Sequence, residues 1–344
     1  MKKVLIATTA LVCSAGIAAA DVKISGYGRT GIDYQEDREI AGEEANSTQI
    51  ISRLRMNIDA SKTTDSNVDF GGRIRMQWDQ NNSSRGEAAV LNAGQLWVRS
   101  QGLTVTVGNV GSAYDDAELL ADSEVGIYDR SFGNASGAFF AYETSPYSED
   151  GTLGGTYRLG ISAEYDFGPF ATKFSYIDPD QSGTDSSEET FGFEEEYALS
   201  VFYEADRFSI SAAGVMNGAG IEDNDQFGIG GAYKLRDTVQ VGLNYIDNGD
   251  DRFIDVNDID GDGDFFEILE ESAGDTIVLY GSFEVAPLTT IEAYVANNDS
   301  DGKETDTAFG LGGNYDLGGA RLSGAIERGY DEKIRADAGV RFDF

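Results

Sequence analysis

Ile334-Arg335-Ala336-Asp337-Ala338-Gly339-Val340-Arg341-Phe342-Asp343-Phe344, the end of the chain, alternates between two kinds of chemistry. Successive side chains of an extended strand point to opposite faces. Ile334, Ala336, Ala338, Val340, Phe342 and Phe344 therefore share one face, and Arg335, Asp337, Gly339, Arg341 and Asp343 share the other. The first face suits hydrocarbon and the second suits water. The same division appears at the other end, where Val22, Ile24, Gly26, Gly28, Thr30 and Ile32 alternate with Lys23, Ser25, Tyr27, Arg29, Gly31 and Asp33. It recurs in Leu54, Met56, Ile58 and Ala60 against Arg53, Arg55, Asn57 and Asp59, and in Phe70, Ile74, Met76 and Trp78 against Asp69, Arg73, Arg75 and Gln77.

Composition narrows the chemistry that such strands can serve. The 344 residues carry 25 Lys and Arg against 61 Asp and Glu, a formal charge of −36, and no histidine. An acidic balance of this size excludes a nucleic-acid binder that works by neutralising phosphate. Absence of histidine excludes Ser-His-Asp and Cys-His catalysis and every metal site that needs imidazole. The 43 glycines beside 4 prolines suit strands and tight turns.

Met1-Lys2-Lys3 is a short basic start, Val4 to Ile17 is mostly apolar, and Ala18-Ala19-Ala20 fits a signal-peptidase site. The expectation is a signal peptide over 1–20, cleaved after Ala20, and one barrel domain over 21–344. Cys13, the sole cysteine, leaves with the leader, so the mature chain has no thiol and is held by pairing and burial alone. Beyond the leader no run of about 18 apolar residues exists to form a spanning helix. A membrane β-barrel passes that test, because its strands alternate.

Strands are predicted at 22–34, 48–61, 68–79, 91–100, 103–108, 157–167, 170–178, 195–203, 208–216, 226–235, 238–246, 275–284, 289–296, 307–317, 320–328 and 333–344. Short turns such as Gly168-Pro169, Arg236-Asp237 and Gly318-Gly319 alternate with long polar stretches rich in Asp, Asn, Gly and Ser. The count of sixteen is even, so both termini fall on the short-turn side. Ala138 to Tyr142, apolar enough to be a strand, would reverse that parity, and is placed inside a long third loop. The fold class read from this pattern is all-β, a transmembrane antiparallel β-barrel of about 16 strands. Because its apolar face meets lipid, it needs no large internal core.

With its leader, strand count, long third loop after the fifth strand and terminal Phe344 with Phe342 two before it, the whole chain resembles the sixteen-stranded general porins of Gram-negative outer membranes, of the alphaproteobacterial, Rhodobacter type. The resemblance implies a homotrimer in the outer membrane, one water-filled pore per subunit for ions and small hydrophilic solutes, no enzymatic activity, no required cofactor, and a third loop folded into each barrel.

Arg29, Arg53, Arg55, Arg73 and Arg75 share the polar parity of neighbouring strands, which lie about 4.8 Å apart, and so form one basic patch on the lumen wall. Opposite them the family pattern would place the third loop with Asp115, Asp116, Glu118, Asp122 and Glu124, making a charged constriction with a field across the pore. The competing reading pairs each arginine with a wall carboxylate such as Asp59 or Asp69. Tyr114 and Tyr128 are too few aromatics to argue for a solute-specific pore but do not exclude one, so the alternatives are a solute-specific porin or a non-conducting structural or adhesive barrel. Acidic outer loops, within a Debye length of about 8 Å, would concentrate cations and give a modest cation preference; they would also face lipopolysaccharide. One of them contains Asp258-Ile259-Asp260-Gly261-Asp262-Gly263-Asp264, the start of a calcium-loop pattern in which Asp258, Asp260, Asp262 and Asp264 would be ligands, although Leu269 stands where an EF-hand needs Glu. Gly26-Tyr27-Gly28-Arg29-Thr30-Gly31 matches a nucleotide-binding pattern but has no strand before it and no helix after it.

Overall fold

The computed structural model describes residues 21–40, 43–80, 89–91, 94–127, 131–133, 152–153, 156–157, 159–178, 194–220, 222–249, 252–255, 267–270, 274–300 and 303–344. Sixteen long strands close into one antiparallel barrel: β1 (Asp21–Gln35), β2 (Thr48–Thr63), β3 (Asp69–Gln80), β4 (Gln95–Ser100), β5 (Leu103–Asn109), β6 (Leu159–Phe167), β7 (Phe170–Asp178), β8 (Glu196–Glu204), β9 (Phe208–Met216), β10 (Gln226–Arg236), β11 (Val239–Asp247), β12 (Asp275–Ala286), β13 (Thr289–Asn298), β14 (Thr307–Asp316), β15 (Ala320–Arg328) and β16 (Ile334–Asp343). Each strand pairs with its sequence neighbour, and β16 returns to β1 with Tyr27 opposite Asp343 and Gln35 opposite Arg335. The seam is finished by Gly26 and Phe344, which exchange two backbone hydrogen bonds of 2.8 and 2.9 Å. Closure leaves no unpaired edge, the condition for crossing hydrocarbon with strands.

Alternation sets the two faces. Val22, Ile24, Leu54, Phe70, Leu199, Leu243, Leu279 and Phe342 all lie exposed on the outer surface. At the short-turn end, Tyr165, Phe167, Phe170, Tyr203 and Phe208 run as a chain of ring contacts with centroids 5.5, 5.2, 4.7 and 5.6 Å apart, part of an aromatic girdle. The glycine-rich stretch of β1 is plain strand, and Gly28 lies under the Phe342 ring, where a Cβ would stand 2.5 Å from a ring carbon.

The fourth strand differs from expectation. Its ladder with β3 pairs Arg73 with Gln95, then resumes at Met76 with Leu91 through a short Val90–Leu91 piece. A second difference concerns packing. In loop three, the connection 110–158, the stretches 110–127 and 131–133 lie inside the barrel, and their Ala113, Tyr114, Leu120, Val125 and Phe132 form a buried core with inward residues of the wall that include Val215, Ile246, Val278, Tyr280 and Tyr294. Lipid contact on the outer face asks for no large internal core, yet a core does form under the loop: a loop crossing the lumen buries its own apolar side, and the wall must match it.

Candidate functional site

Loop three is fastened to one arc of the wall. Its Ala113 N–H donates to Ser175 on β7 (2.8 Å), and the Asp116 carboxylate pairs with the Lys173 ammonium beside it. Further on, Asn244 of β11 donates its amide to the Leu119 carbonyl (2.8 Å). Ile127 then bridges two strands, its N–H donating to Asp337 of β16 (3.1 Å) while its carbonyl accepts from Arg29 of β1 (3.2 Å). Finally Glu327 of β15 accepts from the Ser131 hydroxyl (2.8 Å), the Phe132 N–H (3.1 Å) and the Tyr294 hydroxyl. These contacts follow the wall from β7 round to β1, so the arc of β2 to β5 faces the remaining lumen.

The loop's own alternation decides what meets that lumen. Ser112, Ala113, Tyr114, Leu119, Leu120, Ser123, Val125 and Ile127 are buried against the wall, whereas Asp115, Asp116, Glu118 and Asp122 are exposed and Glu124 is half-buried. Burial, followed by the nearby carboxylates of Asp122, Asp116, Glu164 and Glu204, raises the Glu118 pKa above the ordinary glutamate value. Burial alone raises that of Asp122. Tyr114 does not line the pore; it is 2% exposed, in the core under the loop.

The arginines divide by role. Arg29 is 6% exposed and lies beneath loop three on the Ile127 carbonyl. Arg53 pairs with Asp79, and Arg73 pairs with Asp59 at 2.7 Å, so two of the five meet wall carboxylates as the competing reading expects. Arg55 donates to the Gln77 amide oxygen (2.5 Å) and Arg75 to that of Asn57 (2.6 Å), bonds that orient a guanidinium without neutralising it. Arg99 stands opposite Asp69 with its guanidinium 5.3 Å from the Trp97 ring centre, on the lumen parity. Tyr27 and Lys173 also belong to the site and were singled out by no motif; their only sequence signal is that parity. Asp258, Asp260, Asp262, Asp264 and Tyr128 lie outside the described residues, and among the described residues no group of three or more potential metal ligands is gathered.

The sequence model of the family described as Gram-negative porin matches residues 7–333. The chain belongs to the Gram-negative porin family. A curated relative of this porin, "Porin" of Fuscovulum blasticum, is 39% identical over 325 residues, spanning 94% of this chain and all of the relative. Mutants of Rh. blastica porin superpose with a TM-score of 0.78 at 36% identity, covering 94% of this chain and the whole of theirs. A structure described under asymmetric conductivity of engineered proteins gives 0.77 and 35% at the same coverage. The porin is thus an outer-membrane diffusion channel of a Gram-negative cell and not an enzyme.

Proposed function

We propose that this porin passes ions and small hydrophilic solutes through a charged constriction, with a modest preference for cations. The observation that supports the reading is the two-sided loop three: its apolar residues sit on the wall, while Asp115, Asp116 and Glu118 lie exposed, Asp116 beside Lys173, and the arc of wall the loop leaves uncovered bears Arg53, Arg55, Arg73 and Arg75. Opposed charge across a narrow passage orients dipolar solutes and disfavours apolar ones. The acids of the outer loops tip the balance toward cations, and the wall arginines keep it modest. The same reading has the leader removed after Ala20 and the mature chain assembled as a homotrimer among lipids and lipopolysaccharide. Thr30 and Ser52, whose hydroxyls pair at 2.8 Å on the outward face of β1 and β2, support a protein neighbour there, since a polar pair gains little from lipid tails.

A thiol-free mature chain makes the test clean. Single cysteines placed by Asp115→Cys and, on the lipid face, by Leu54→Cys are exposed to a bulky charged thiol reagent during conductance recording. The expected result is a stepwise loss of current for Asp115→Cys alone. Equal insensitivity of both would place the loop's acidic edge away from the conducting path.

A further inference from the structure

We propose that two wall glycines, Gly312 on β14 and Gly230 on β10, set the size limit of the channel by letting loop three lie closer to the wall than any side chain would allow; the proposal rests on the channel reading above. Leu311 and Tyr315 are exposed on the outer face of β14, and Ile229 on that of β10, so both glycines take the inward parity. A Cβ on Gly312 would stand 2.9 Å from the Val125 β-carbon and 3.4 Å from the Gly126 amide nitrogen, both in loop three, while the nearest wall atom, the Gly324 carbonyl oxygen, is 3.5 Å away. A Cβ on Gly230 would stand 3.2 Å from the Leu119 β-carbon and 2.6 Å from the side-chain oxygen of Asn244, the residue whose amide holds the Leu119 carbonyl. Neither glycine has the positive φ that would by itself call for glycine. Glycine weakens the interior of a strand, and there it often marks a place where another backbone approaches closely. Here the approaching chain is loop three.

The nature of the contacting atoms decides what an added side chain would do. Val125 and Leu119 meet the wall through their β-carbons, which no change of rotamer can turn aside. Gly228, also on β10, faces instead the methyl ends of Leu120 and Ile246 at 2.7 Å, and those can rotate away. The loop also resists sliding along the wall, because Asn244 holds the Leu119 carbonyl (2.8 Å), Asp337 the Ile127 N–H (3.1 Å) and Glu327 the Phe132 N–H (3.1 Å). A methyl group on Gly312 or Gly230 therefore lifts the loop off the wall, and the direction open to it is the lumen. The edge carried inward bears Glu118 next to Leu119, and Asp122 and Glu124 close to Val125. Passage through a pore depends on its diameter, so an inward shift of that edge hinders bulky solutes before small ones.

The experiment measures sugar uptake by vesicles holding the refolded mature porin, comparing arabinose with the largest sugar, in a series up to raffinose, that the wild type admits; current in KCl is recorded from the same preparations. For Gly312→Ala the expected large-to-small uptake ratio is about threefold below that of the wild type, with a further fall in Gly312→Val. Gly313→Ala keeps the wild-type ratio, because it lies on the outward parity of the same strand and its Cβ has the Thr290 carbonyl oxygen, 3.7 Å away, as nearest neighbour. Should the Gly312 variants fail to fold, Gly230→Ala is read against the same control, with a fall in the ratio expected. An unchanged ratio in the inward variants, a ratio that rises because the loop has come away, or an equal fall in Gly313→Ala overturns the role of the glycines and leaves the channel standing. An inserted wild type that passes neither sugar nor current overturns both.

Discussion

Leu54 and Arg55 are neighbours in sequence that face different solvents. Leu54 is 41% exposed on the outer surface in the middle of β2, and Arg55 points into the lumen onto Gln77. Leu54→Arg should cost about 2–4 kcal/mol, the range for a cation on the lipid face near the midplane, while Arg55→Leu should fold normally and alter conduction. Urea titration of the refolded variants in lipid vesicles checks this, and equal losses would contradict the face assignment. Glu118 sets a pH dependence. Its raised pKa means that it takes up a proton above the ordinary glutamate value of about 4.3, while the arginines keep their charge. Cation preference should therefore start to fall, as pH is lowered, before ordinary carboxylates titrate, and Glu118→Gln should lack that early part of the curve in reversal potentials from pH 8 to 4. Linkage gives the matching sign for stability: a carboxylate whose folded pKa is raised gains stability as pH drops through that pKa.

At the scale of elements, loop three behaves as a docked lining. Phe132 is buried against Tyr330, with ring centres 5.7 Å apart, and Arg335 lies 4.3 Å from its ring centre. Phe132→Ala should weaken docking by about 3 kcal/mol and raise open-channel current noise while the barrel's melting in detergent stays the same; a quiet channel would show that the polar bonds alone hold the loop. The strands were the legible part. Alternation such as that of Ile334 to Phe344 gave their number, both faces and the lumen parity of the arginines, because a two-residue period is all a strand needs to choose its side. The docking of the loop was not legible. Its partners Ser175, Asn244, Glu327 and Asp337 lie up to 210 residues from it, and no local pattern encodes such a pairing. A weak signal did exist in the inward positions of β11 to β14, where Ile246, Val278, Tyr280, Tyr294, Ala296 and Ala308 interrupt the polar parity. The pairing of Arg29 with Arg341 was hidden for a related reason: the two come opposite one another only when the last strand closes on the first.

Over the whole molecule, the opposing charge sets are separated by place. Carboxylates edge loop three, and the uncovered wall bears Arg53, Arg55, Arg73 and Arg75, two of them paired with Asp79 and Asp59, within a chain whose formal charge is −36. Charges on an open surface would be screened beyond about 8 Å at physiological salt, whereas a passage lined on both sides holds them within that distance of any permeating ion. Selectivity should accordingly weaken with rising salt but persist where that of a purely mouth-based filter would vanish. The most direct test of the account is the reversal potential of the refolded mature porin across a planar bilayer in a KCl gradient, compared with a variant carrying Asp115→Asn, Asp116→Asn and Glu118→Gln. The account predicts stepwise conductance with a cation-selective potential that moves toward zero or to the anion side in the variant. An unchanged potential would contradict a constriction set by loop three.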